Sequence, residues 1–171
     1  MNYKKDYPTL PFDLFLSDLS SKTPTPGGGS TAALIGTVAT SLACMTIEYT
    51  LGKKKTVKHK AFFQMLLREY KTIEKEFKKL IKEDMVAYHS LSKLKKRNKK
   101  EYIKGLEQAM AVPARIADLA YTLNSSLNNT RNKINPNLIS DLDISIVLAK
   151  SCIDSAEIMI QVNKKEIEKM R

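Results

Sequence analysis

Apolar residues recur every three or four positions along most of the chain, the period of helices packed on one side. The clearest run is Leu66, Tyr70, Ile73, Phe77, Leu80, Asp84, Ala87 and Leu91, spaced alternately four and three, a heptad seam that predicts one long helix from about Val57 to Ser92. One slot in that seam is a carboxylate. Phe12, Phe15, Leu16 and Leu19 behind Pro11 predict a short amphipathic helix. From Ser30, a natural N-cap, a run of small and apolar residues extends to a stop at Gly52. A further helix from Glu101 contains Pro113, which should kink it or divide it at Val112. The last begins at Ser140, with Asp143 completing an Asp variant of the capping box, after an Asn-Pro turn signal at Asn135 and Pro136. No strand pattern, repeat or second domain is visible, so residues 1–171 read as one all-α, single-domain bundle of five or six helices.

The segment after Ser30 is nearly uncharged, with Glu48 its only acid, so a membrane span has to be weighed. Five Thr, two Ser and that Glu are a costly load in lipid, and no second span exists. Ala32 with Gly36 and Ala39 with Ala43, each pair four apart, instead describe an enclosed helix that others approach closely. Composition agrees: 171 residues at 43% hydrophobic suffice for one core. Cys44 and Cys152 sit in apolar helical patterns and the N-terminal stretch has no apolar signal region, so the expected setting is cytoplasmic, with reduced thiols. The net charge of +11 favours anionic partners, which include a polycarboxylate or phosphate ligand, nucleic acid or acidic lipid.

Two features could carry chemistry. Asp84, on an apolar seam near Leu80, Ile81 and Tyr88, must be paired, be protonated or line a cavity, and burial would lift its pKa toward the range useful for proton transfer. Setting helix register, or pairing with a lysine, would account for it equally well. The string "TPTPGGGST" places Pro26, Gly27, Gly28, Gly29 and Ser30 before a helix start, a surface whose amides can bind an anion. It lacks the lysine of a nucleotide-binding P-loop, and a plain linker with an N-cap explains it too. His59 and His89 have no ligands at metal spacing, which argues against zinc. The basic stretches "GKKKTVKHK" and "KLKKRNKK" carry no interleaved aromatics, so nucleic acid is not the expected partner.

In order, "LSSKTPTPGGGSTAAL", "LGKKK", "KEDMVAY", "AVPARIADLA" and "ISDLDISIVLAKSCIDSA" resemble the formiminotransferase-cyclodeaminase C-terminal family, the cyclodeaminase and methenyltetrahydrofolate cyclohydrolase group, over about Phe12 to Asn163. The resemblance implies a helical, homodimeric folate enzyme without a metal or any cofactor beyond its tetrahydrofolate substrate. It makes Asp84 the acid/base and Pro26 to Ser30 part of the folate pocket. Lys53, Lys54 and Lys55 would meet the glutamate tail, polyglutamylated or not, and Tyr88 and Asp141 fall within matching motifs as further substrate contacts. In the deaminase reaction N10 of 5-formiminotetrahydrofolate attacks the formimino carbon, and ammonia leaves after protonation. In the cyclohydrolase reaction water adds to the methenyl carbon and the ring opens to 10-formyltetrahydrofolate. One carboxyl can serve both. The last helix departs from the family pattern at Asp143, Ser145, Ser155 and Met159. The alternative in a different class is a basic helical protein that keeps this fold to bind RNA or another anion without catalysis.

Overall fold

A computed structural model of the chain describes residues 2–52 and 59–171. Five helices make the body: α1 (Phe12–Ser20), α2 (Gly28–Leu51), α3 (Lys60–Ser92), α4 (Lys99–Thr130) and α5 (Ile139–Met170), with no strand among the described residues. The heptad seam is the buried face of α3: Leu66, Tyr70, Ile73, Phe77 and Leu80 all lie in the main core. A small satellite cluster of Tyr102, Leu106 and Ile167 closes the end of the bundle where α3 passes into α4.

The enclosed helix expected from the small-residue pairs is α2, which packs against α3, α4 and α5. It passes a length-and-apolarity test for a membrane span, yet most of it is inside the protein. Its hydroxyls are satisfied locally: Thr37, Thr40 and Thr50 each donate to the carbonyl one turn back, and Thr46 to that of Ala43. Gly36 is required by packing, because a Cβ there would lie 2.5 Å from the Phe77 ring. Gly36→Ala should therefore cost about 1–3 kcal/mol through overpacking. At roughly 2–4 °C per kcal/mol for a chain of this size, thermal unfolding followed by circular dichroism should show a drop of several degrees. An unchanged melting temperature would show that Phe77 has room to yield.

α5 runs antiparallel to α2. The Cys152 thiol donates to the Ala32 carbonyl at 3.1 Å, Met159 lies against Gly28, and the Asn135 amide just before α5 donates to Thr50 Oγ1 near the end of α2. Both cysteines are free and buried, and burial pushes their thiols up, to about 11 for Cys44 and about 12 for Cys152.

Three local expectations are corrected. Ser30 is not an N-cap: α2 begins two residues earlier, at Gly28 behind Gly27, and the Ser30 hydroxyl has a tertiary partner. Pro113 does not divide its helix, since α4 is continuous from Lys99 to Thr130 with Pro113 buried inside it. Packing of α4 against both α3 and α5 holds the helix together across the lost backbone hydrogen bond. Asp143 forms no capping box, because α5 starts at Ile139 and the carboxylate is engaged by both the Nε and an Nη of Arg131 at 2.8 Å.

Candidate functional site

The chain crosses from α1 to α2 through residues 21–27, with Thr25 and Pro26 buried. The first turn of α2 then meets the C-terminal third of α3 at Asp84. Ser30 is fully buried, and its hydroxyl donates to Asp84 Oδ2 at 2.7 Å. The Ser30 backbone amide donates to the same carboxylate. Free amides of a first helical turn favour an anion, so this is an electrostatically sensible place to hold a carboxylate.

Gly29 makes the approach possible. A Cβ there would lie 2.0 Å from Asp84 Oδ1 and 2.5 Å from its Cγ. No other residue leaves the carboxylate where it is. A glycine run that local reasoning could equally take for a linker is, at this one position, a steric requirement of the site.

Asp84 is half-buried, and no cation pairs with it among the ion pairs of the described residues. A lysine-paired seam residue is therefore not what the structure contains. Burial raises its pKa above the ordinary carboxylate value, with the two hydrogen bonds from Ser30 working against that shift. The result is a carboxyl group that keeps its proton to higher pH than an exposed aspartate would, which suits proton transfer.

Further along α3, starting one helical turn from Asp84, lies a cavity of about 370 Å³ that Asp84 itself does not line; it is bordered by Tyr88, His89 and Ser92 of α3, by Thr23, Pro24 and Thr25, and by Asn2 and Tyr3. Tyr88 lies one helical turn beyond Asp84 and is 48% exposed. The Tyr3 and His89 rings stack at 3.6 Å, only 13° from parallel. Burial, with Lys93 and Lys4 nearby, holds the imidazole below its usual pKa. Met159 of α5 packs over Gly28, a Cβ on which would lie 3.2 Å from its Sδ.

The structure thus brings together Pro26, Gly27, Gly28, Gly29, Ser30, Asp84 and Tyr88 at one end of α2. It does not bring Asp141 there: that residue sits in the first turn of α5, about 27 Å along the helix from Met159. Lys53, Lys54 and Lys55 lie outside the described residues; Gly52, before them, is at the opposite end of α2 from the glycines. Sequence reasoning missed Asn2, Tyr3 and His89 as cavity residues. Residues 2–9 have no hydrophobic period to read, and only the fold places them beside α3.

Comparisons with known proteins identify the family and the fold. The formiminotransferase-cyclodeaminase family model matches residues 11–170. A methenyltetrahydrofolate cyclohydrolase of Methylorubrum extorquens is 27% identical over 166 residues, which span 91% of this chain and 80% of that protein. The formimidoyltransferase-cyclodeaminase of Mus musculus is 23% identical over 163 residues, and the match spans only 30% of its length. Among solved structures, a formiminotetrahydrofolate cyclodeaminase from Thermotoga maritima superimposes with a TM-score of 0.90 at 25% identity, covering 96% of this chain and 84% of that one. With a family model matching nearly the whole chain and a shared fold, the chain belongs to the formiminotransferase-cyclodeaminase family.

Proposed function

We propose that this chain acts on the N5/N10 one-carbon bridge of a tetrahydrofolate derivative, with Asp84 as its acid/base. The observation that carries the reading is the Asp84 carboxyl itself: fixed by Ser30 at the glycine-rich start of α2, raised in pKa, without a cationic partner among the described residues, and one helical turn from Tyr88, which lines a cavity. In the cyclohydrolase direction Asp84 takes a proton from water as it adds to the methenyl carbon. The C–N5 bond then breaks, giving the 10-formyl product. In the cyclodeaminase direction N10 closes on the formimino carbon and Asp84 delivers a proton to the nitrogen that leaves as ammonia. Both are additions and eliminations at one carbon, with proton transfer and no change of redox state, and we assign no cofactor beyond the folate. The proposed setting is cytoplasmic.

The active unit we propose is a homodimer. α5 carries an outward stripe of Ile144, Val147, Ile158 and Val162, between 51% and 64% exposed, and its neighbour α2 exposes Val38 and Tyr49. Self-pairing across a two-fold axis would bury this apolar face. With α2 antiparallel to its counterpart, the end of one protomer that holds Asp141 and Gly52 would approach the glycine end of the other, so that Asp141 could serve the substrate of the partner's site. Val147→Glu with Ile158→Glu should turn a dimer into a monomer in sedimentation velocity. A double variant that sediments as the wild type does would remove this face from the proposal.

The absorbance of the methenyl chromophore tests the reaction. Loss of added 5,10-methenyltetrahydrofolate above the uncatalysed blank marks a cyclohydrolase, and its appearance from 5-formiminotetrahydrofolate a cyclodeaminase. Rates equal to the blank with both substrates would overturn the catalytic reading in favour of the anion-binding one.

A further inference from the structure

Residues 2–9 precede the stretch matched by the family model, yet two of them, Asn2 and Tyr3, border the cavity lined by Tyr88 and His89 of α3. The segment is firmly placed. Asp18 of α1 accepts from Lys5 Nζ and from the Tyr7 hydroxyl, both at 2.5 Å, and the Tyr7 ring is buried edge-on to Phe15. At its start, Asn2 Nδ2 donates to the Thr25 carbonyl at 3.1 Å, immediately before Pro26 and the glycines. Between these anchors Tyr3 is laid flat on His89.

We propose that Tyr3, held by His89, is a substrate-contacting residue: the stacked pair forms an aromatic wall that takes a planar ring of the folate in the cavity that begins one turn of α3 beyond Asp84. This rests on the folate reading above. Three rings, those of Tyr3, Tyr88 and His89, border one cavity, whose volume lies within the usual range of small-molecule sites. Flat π-faces select flat ligands, and stacking on them contributes substantially to affinity. An imidazole held neutral by its surroundings supports the tyrosine without a charge that ligand binding would have to desolvate. Attachment of Asn2 to the loop leading into the glycines ties the wall to the reacting end of the site.

The test is steady-state kinetics on the full chain with whichever of the two folates the wild type turns over. Tyr3→Ala should raise KM roughly tenfold while kcat falls far less, and Tyr3→Phe, which keeps the ring, should stay near wild type. His89→Ala should raise KM similarly, and the double variant should be little worse than either single one, because the two rings act as a unit. Because the alanine variants could simply misfold, hydrogen exchange on the wild type supplies a second readout. Peptides covering residues 2–9 should gain protection when 5-formyltetrahydrofolate is added. Unchanged KM in folded Tyr3→Ala, or exchange in residues 2–9 indifferent to a bound folate, would overturn the inference. A wild type that binds no folate at all would overturn the functional reading along with it.

Discussion

Asp84→Asn should abolish most turnover and leave the fold intact. Asparagine has nearly the same shape and keeps a carbonyl oxygen to accept the Ser30 hydroxyl, now 2.7 Å from the carboxylate. What it loses is the exchangeable proton. Loss of a general acid/base costs about 10²-fold or more in kcat, and that is the expected drop. Stability should move the other way. Burial raises the folded-state pKa of Asp84 above its ordinary 3.8, so the folded protein binds this proton more tightly than the unfolded chain does. Stability of the wild type is therefore fully present below the unfolded value and falls as pH rises through the window up to the raised folded one. Asparagine carries no such penalty. At neutral pH the variant should melt no lower than the wild type, and any advantage should close at pH values below 3.8. Near-wild-type turnover would return Asp84 to a register-setting role. A variant less stable at neutral pH would mean that the charge contributes net stability, as a paired carboxylate does.

Gly29→Ala should damage activity almost as much while touching stability little. The added methyl would sit 2.0 Å from Asp84 Oδ1, which no contact allows, so something must move. The atoms it meets are the end of a short, rotatable side chain rather than backbone, and the carboxyl is what yields. Alanine also favours the helix over glycine, which offsets part of the cost. A displaced carboxyl loses its bond from Ser30 and its aim, and a misplacement on the order of 1 Å can cost roughly 10²-fold in rate. We expect kcat to fall by about that factor with a melting temperature within a few degrees of wild type. Full activity would show that the position of Asp84 is not used.

Much of this architecture could be read from residue spacing, because it rests on burial. The α3 seam, the small-residue face of α2, the stop at Gly52 and the Asn135 turn all follow from local periodicity or turn chemistry, and each is present. Local rules misled where a tertiary partner outweighed them. Ser30 in front of an apolar run satisfies the N-cap rule, but a half-buried carboxylate 54 positions away takes its hydroxyl. Asp143 fits a capping box and is held by Arg131 instead. Pro113 carries the intrinsic cost of a helix breaker, and packing on both sides overrides it. At the site, Asp84 stood out because a charge on an apolar seam is anomalous. The glycines are specific only in the context of the other ordered motifs. Tyr3 and His89 left no local trace, since their meeting depends on how residues 2–9 fold back over α3.

The pH dependence of wild-type turnover, measured beside Asp84→Asn, tests the central claim most directly. Asp84 as the proton-transferring group predicts one governing ionisation above the ordinary carboxylate value of 3.8. The rate should rise with pH through it if the carboxylate acts as base in methenyl hydrolysis, and fall if the acid protonates departing ammonia. That ionisation should be missing from the residual rate of the variant. The same ionisation persisting in Asp84→Asn at a comparable rate would place the chemistry on another residue.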